Sequence, residues 1–310
     1  MQSLVHNRLD RWSGPLLSIP GWIRMFRPLN LLIIFFGCFV GSMLVHGASI
    51  SAGDLPYLTS LAALSTVFTA AFGNITNDIA DRKIDSVNRA DRPIPSGQIS
   101  VPVAVVIALS CFCCALIIAW SLSVYHVEVV AVAGLILLAY NWVFKKAGII
   151  GTIVVSGLVA MTIGFGAMTG ASSGGRAAPL DVIVQGNVLV TMSFAFVLML
   201  ARELIKDVQD VEGDLKGDVR SVPITIGTKK TLRITRGIVA VTIIAAPMPY
   251  LHLEFSGLYL LLMIPVLALL VRVMAMLGDP EPDLFLVSRH LKLSMCLGML
   301  ALACAAIWPV

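Results

Sequence analysis

Charge is what this chain has least of. Only 13% of its 310 residues are Asp, Glu, Lys or Arg, where a soluble domain has roughly 25%. That scarcity argues against a water-soluble globule. Cysteine is scarce as well, and its pattern excludes the usual roles. Cys38, Cys111, Cys113, Cys114, Cys296 and Cys304 all fall inside apolar stretches. The group at 111–114 lacks paired ligand spacing and has no histidine partners, so it reads as apolar packing, not as a zinc site or disulfide. The five histidines, His6, His46, His126, His252 and His290, are scattered, and a histidine-based metal or haem site finds no support. No strand-like alternation runs through the chain. Residues 1–27 carry Arg8, Arg11, Arg24 and Arg27 but no apolar core before Leu29. A signal peptide is therefore not expected; the segment reads as a basic, partly amphipathic stretch on the membrane surface. The net charge of +4 calls for no nucleic acid, and no required protein partner is evident.

Long apolar runs stand in place of charge. The chain is 58% hydrophobic, with a mean hydropathy of +0.91. A helix that crosses a bilayer needs roughly 20 mostly apolar residues. Nine stretches qualify, near 28–47, 56–76, 101–122, 125–143, 148–170, 180–200, 235–253, 257–277 and 290–308. Pro247, Pro249 and Pro265 interrupt the seventh and eighth, which membrane helices tolerate when neighbours satisfy the freed carbonyls. The expected fold is all-α, a polytopic membrane protein with one domain over 1–310. With the N-terminus inside, inner segments hold 21 of the 22 Lys and Arg, and outer segments hold only Arg176. Cytoplasmic loops carry such an excess. A cytoplasmic N-terminus is therefore expected, in a multi-pass cell-membrane protein.

The few acidic residues are gathered. Ten of the 18 lie within 78–91 and 203–218, and ionisable groups near membrane depth usually mark a site. On a helix, Asn74, Asn77, Asp78, Asp81 and Asp85 fall within roughly 100° of arc, and Glu203, Asp207, Asp210 and Asp214 within roughly 60°. Like charges four residues apart destabilise a helix, so these faces call for an external cation. Oxygen-only ligands suit a hard divalent ion, magnesium being usual where phosphates complete the shell. The candidate metal ligands are Asn77, Asp78, Asp81, Asp85, Asp207, Asp210 and Asp214. Arg89 and Arg92 follow the first cluster; Arg202 and Lys206 flank the second. Arginine grips phosphate oxygens in a planar fork, although topology alone would also account for these arginines. Pro93, Pro95 and Gly97 are expected to make an ordered turn, and Gly213 to end the regular helix of the second cluster.

The two clusters look like diverged copies. Arg92-Pro93-Ile94-Pro95-Ser96-Gly97 follows the first, and Arg220-Ser221-Val222-Pro223-Ile224-Thr225-Ile226-Gly227 follows the second. Each run has Arg, Pro three residues on, then Gly. The chain reads as a pseudo-repeat, spans 1–4 with the motif at 77–97 and spans 5–9 with the motif at 203–227. A duplicated bundle would bring both acidic faces together across a central cavity, as internal repeats in membrane proteins do. Such faces suit a diphosphate, with about three negative charges, bridged by two magnesium ions to two carboxylate sets. The rest of that ligand is expected to be a lipid tail.

These residues resemble the UbiA-type membrane prenyltransferases. The family's first motif is N-D-x-x-D-x-x-x-D, and Asn77, Asp78, Asp81 and Asp85 match every fixed position. Asp207, Asp210 and Asp214 resemble its second motif, which is variable and Asp-rich. The resemblance implies nine transmembrane helices around a central cavity, with the motif loops cytoplasmic. Arg27-Pro28-Leu29-Asn30 and Tyr140-Asn141 with Lys145 are also similar, and each is open to reading as an interfacial anchor. Within the family, Arg202 through Asp214 looks most like archaeal digeranylgeranylglyceryl phosphate synthases; chlorophyll synthases share the Val-Glu-Gly-Asp ending at 211–214 and much of 88–97.

The likeness implies a geranylgeranyl diphosphate donor, a geranylgeranylglyceryl phosphate acceptor, and ether formation in a lipid pathway. It implies catalytic roles for Asp81, Asp85, Asp207, Asp210 and Glu203. Substrate contacts would come from Asn77, Arg27, Asn30, Arg89, Arg92, Tyr140, Lys145, Arg202 and Lys206. The proton of the attacking hydroxyl goes to a carboxylate such as Glu203 or to the released diphosphate; the residues leave this open. Arg27, Lys145 and Lys146 are candidates for the acceptor's phosphate. The same fold with an aromatic acceptor is the alternative. A membrane alcohol phosphatidyltransferase would need Asp-Gly-x-x-Ala-Arg, and residues 78–83 read Asp-Ile-Ala-Asp-Arg-Lys. A cation transporter would carry its carboxylates at mid-membrane without arginines beside them.

Overall fold

Where the apolar runs are punctuated, helices begin and end. The computed structural model describes residues 21–143, 148–169, 179–217, 219–253 and 255–308, without the side chains of 21, 22, 87, 88 and 179. Among these, nine helices are long and apolar enough to cross a membrane. They are α1 (Pro28–His46), α2 (Leu55–Asn88), α3 (Val101–Trp120), α4 (Val124–Trp142) and α5 (Ile149–Ala167), followed by α6 (Gly186–Gln209), α7 (Thr228–Ala245), α8 (Gly257–Met276) and α9 (Leu284–Ile307). Proline opens the first turn of α1, α2 and α3, where its missing N–H costs nothing. Ser123 caps α4 by accepting from the His126 N–H at 3.3 Å, and Asp283 caps α9 by accepting from the Leu286 N–H at 3.0 Å, which satisfies donors the helix itself leaves orphaned.

All nine expected spans are present, with shifted ends. The sixth begins at Gly186, because Pro179–Ile183 forms a separate short helix. The seventh begins at Thr228, and its two prolines fall beyond the helix end: Pro247 precedes the short helix Met248–His252 and Pro249 sits inside it. Pro265 is inside α8. The largest difference is at the second acidic cluster. The second cluster is expected on one helix that Gly213 ends, yet α6 stops at Gln209 and Asp210 leaves helical geometry at φ −95°, ψ 4°. A separate helix, Val211–Lys216, follows. Gly213 lies within it and does not end it; the chain turns at Gly217, whose Cα packs so tightly on Ile84 that a Cβ would come within 2.7 Å.

The helices associate in a pattern that positions the site. α1 packs on α2, α5 and α9; α5 packs on α6; α6 also packs on α7 and α9; α2 packs on α3 and α4. The α1–α5 crossing is set by glycine. A Cβ on Gly41 would fall 1.9 Å from the Ile163 carbonyl oxygen, and one on Gly166 would fall 1.8 Å from the Cys38 carbonyl oxygen. Only residues without a side chain allow two backbones this close, a common device between membrane helices. A second consequence comes from parity. Alternating spans put the C-terminal ends of α2, α4 and α6 beside the N-terminal ends of α1, α5 and α9. The helix α2 has 34 residues, about 50 Å at 1.5 Å per residue. The hydrocarbon core is about 30 Å thick, so its last turns, with the first acidic cluster, project past the apolar stretch.

Candidate active site

The polar ends of six helices, α1, α2, α4, α5, α6 and α9, meet around two adjoining cavities. The acidic chamber is lined by Asn77, Asp81 and Asp85 from α2, Tyr140 from α4, Thr152 from α5, and Glu203, Lys206 and Asp207 from α6. Asp210, Asp214, Arg89 and Arg92 complete it. Both acidic clusters therefore face one space. Asp81, Asp85, Glu203 and Asp214 are buried, against the rule that carboxylates avoid burial unless paired. The second cavity, about 300 Å³, shares Asn77, Arg89, Arg92, Tyr140, Glu203 and Lys206 with the first and runs inward past Ile33, Leu137, Leu158, Val159 and Phe165. Its mouth carries charge and its depth is apolar.

Arginines tie the carboxylates together. Arg89 Nη2 donates to both oxygens of Asp210 at 2.9 and 3.0 Å, joining the segment after the first cluster to the second cluster. Arg92 donates to Asp85, and to Asp78 at 3.1 Å. Burial pulls the Arg92 guanidinium down, but Asp78 and Asp85 outweigh it and hold the group above its ordinary range. Arg27 donates to Asn74 and Asn77 at 3.3 Å each and to Asp78 at 2.6 Å. It does so from a left-handed backbone, φ 55°. That conformation is costly for a residue with a Cβ, so the three side-chain bonds help hold it. Across the chamber, Arg202 and Lys206 donate to the two oxygens of Glu203 at 2.8 and 3.3 Å, and Thr152 donates to Asp207 at 3.3 Å.

The chamber offers only oxygen donors, the chemistry of a hard divalent cation. Among the described residues, no three His, Cys, Asp and Glu side chains stand close enough together to hold a metal ion by themselves. Open carboxylates of this kind fit an ion that keeps water and takes phosphate oxygens as further ligands. Asn77, Asp81, Asp85, Asp207, Asp210 and Asp214 are brought to that space. Asp78 is not; its carboxylate is taken by Arg27 and Arg92. Asn30 lines the apolar cavity, away from the acidic chamber. Lys145 and Lys146 lie outside the described residues.

Residues 30–283 match the model of the UbiA prenyltransferase family. The chain belongs to that family. It is a multi-pass membrane transferase. The chain is 33% identical over 282 residues to a digeranylgeranylglyceryl phosphate synthase of Methanopyrus kandleri, covering 90% of this chain and 97% of that one. It is 32% identical over 249 residues to the same enzyme of Natronomonas pharaonis, covering 80% and 84%. A solved structure concerned with digeranylgeranylglyceryl phosphate synthase in membranes superposes with a TM-score of 0.68 at 26% identity, over 93% of this chain and 98% of that one. A UbiA homologue from Archaeoglobus fulgidus bound to GPP and Mg²⁺ also superposes at 0.68, with 20% identity over 93% and 99%, a likeness of fold.

Sequence reasoning passed over two residues of this UbiA-family site. Thr152 sits at the start of α5 and carries no signal beyond its hydroxyl. Lys292 counted only as one more inner positive charge, yet it lines the larger cavity and donates to Asn30 Oδ1 at 2.8 Å. Its place inside the ninth apolar stretch, three residues beyond Arg289, was the available clue.

Proposed function

We propose that this enzyme transfers a geranylgeranyl group from geranylgeranyl diphosphate to the free hydroxyl of geranylgeranylglyceryl phosphate, making the second ether bond of an archaeal-type membrane lipid. The observation that carries the reading is the convergence of Asp81 and Asp85 with Asp207, Asp210 and Asp214 on one chamber that opens into an apolar cavity. The chamber suits a diphosphate head and the cavity a prenyl tail. The names of the relatives support the glycerol-lipid acceptor, as does the run Arg202–Asp210. In this reading the chamber faces the cytoplasm, at the end where the basic residues concentrate.

Magnesium, as two ions, belongs to the proposal; bound there, it would neutralise the diphosphate and favour its departure. Asn77, Asp81, Asp85, Asp207, Asp210 and Asp214 would hold it. Arg89, Arg92 and Lys206 would meet the remaining phosphate oxygens and stabilise the negative charge that grows on them as the allylic C–O bond breaks. The walls at Leu137, Leu158, Val159 and Phe165 keep water from the allylic cation. The acceptor hydroxyl attacks that carbon, and Glu203 or the departing diphosphate takes its proton. Tyr140, on both cavities, marks where head and tail meet.

Purified protein incubated with geranylgeranyl diphosphate and a panel of acceptors tests this. The expected product is the double-chain ether phosphate. Prenylation of 4-hydroxybenzoate or a naphthoate, with the glycerol lipid ignored, would replace the acceptor and leave the family standing.

A further inference from the structure

The larger cavity has a second charged wall beyond the residues assigned to the diphosphate. Arg202 and Lys292 line it, and the cavity holds a single carboxylate, Glu203. Glu203 is already taken on both oxygens, by Arg202 and Lys206. Lys292 reaches across from α9 to the amide oxygen of Asn30 on α1, a neutral partner. Among the described residues, no carboxylate stands within ion-pair distance of it. The buried Nε–H of Arg202 also lacks a hydrogen-bond partner among the described residues. A buried donor left without a partner is costly, so it points to a ligand. A lysine that only snorkels would send its ammonium to the interface; this one lines the cavity.

We propose that Lys292 and Arg202, with Asn30 holding the lysine in place, form an anion subsite for the acceptor's phosphate monoester. The subsite deepens the function proposed above and rests on it. Neither Lys292, Arg202 nor Asn30 lines the acidic chamber, so the acceptor's phosphate and the donor's diphosphate occupy separate cationic walls. Glu203 stands between them, lining both cavities. The site therefore recognises a phosphate on the acceptor independently of the donor.

The test compares geranylgeranylglyceryl phosphate with the same lipid lacking its phosphate, in wild type, Lys292→Gln, Lys292→Arg and Asn30→Asp. Lys292→Gln is expected to raise KM for the phosphorylated acceptor about ten- to a hundredfold, the usual weight of one hydrogen bond to a charged group. Donor KM and the phosphate-free acceptor should stay near wild type, and Lys292→Arg should restore most of the loss. Asn30→Asp supplies a competing anion and should act in the same direction as Lys292→Gln while retaining the lysine. Equal losses for both acceptors, or a donor KM that rises as far, would overturn the subsite while leaving the proposed function intact. If the wild type refuses the glycerol lipid and prenylates an aromatic acid, the proposed function fails, and the subsite with it.

Discussion

Asp78 and Asp81 are three residues apart on one helix and do different work. Asp78 anchors Arg27 and Arg92, whereas Asp81 lines the chamber. Substituting Asp81→Asn, Asp85→Asn, Asp207→Asn or Asp210→Asn keeps volume and removes one ligand charge. Each should lower turnover about 10²-fold or more, the usual effect of deleting one electrostatic group, with the fold intact. Steady-state assays check this, and near-normal rates in any two would move the site elsewhere. The arginines separate by burial. Asp78 and Asp85 around Arg92 have side-chain exposures of 4% and 8%, while the Arg89–Asp210 pair stands at 35% and 25%. Arg92→Met should therefore destabilise by about 3–5 kcal/mol, since it strands buried carboxylates. Arg89→Met should cost about 0–1 kcal/mol, as an exposed pair does. Thermal melts in detergent would show the order; a larger loss at Arg89 would contradict it. The first cluster was legible at this scale because helical spacing alone gathers its carboxylates. The role of Asp78 was not, because Arg27 lies 51 residues away.

Helices carry the next layer of specification. Proline, glycine and apolar length locate α1 to α9 within a few residues. The break at Asp210 has no proline or glycine to announce it. It lets Val211–Lys216 turn and pack against α2, and it brings Asp210 to Arg89. The α1–α5 crossing yields a sharp contrast. Gly41→Ala drives a methyl into the Ile163 carbonyl, which cannot move without parting the helices; a loss of about 1–3 kcal/mol is expected from overpacking. Gly157→Ala, on α5 with nothing within 4 Å, should be neutral or gain about 0.5–1 kcal/mol from helix propensity. Orientation is testable at the loops. In a background without native cysteine, a cysteine at exposed Ser96 should react with an impermeant thiol reagent only from the cytoplasmic face. One at Ser51, between α1 and α2, should react only from outside. Labelling of both from one side would refute the alternation of spans.

At the scale of the whole molecule, two carboxylate sets sit across one chamber. Unneutralised, they repel a diphosphate, so chelation should abolish prenyl transfer and added magnesium should restore it. Full turnover in excess chelator would remove the metal from the proposal. Two charged walls on one cavity also imply an order of sensitivity toward the acceptor. Deleting its phosphate should weaken binding more than shortening its tail by one isoprene unit, since a charge-assisted hydrogen bond weighs about 1.5–3 kcal/mol. Competition assays with the two analogues decide this.

What the sequence determined by itself was periodic or compositional. Apolar length set the spans, the basic bias suggested an orientation, and i,i+3 and i,i+4 spacing marked Asn77–Asp85 and Glu203–Asp207 as faces. These features are local, and each is repeated enough to survive a change of a residue or two. Contact between distant segments decided the rest. Asn30 and Lys292 are 262 residues apart, and Arg89 and Asp210 are 121 apart; no periodicity links them. Their pairing follows from the side-chain-free crossing at Gly41 and Gly166 and from the parity of the spans, which together bring helix ends into one polar rim.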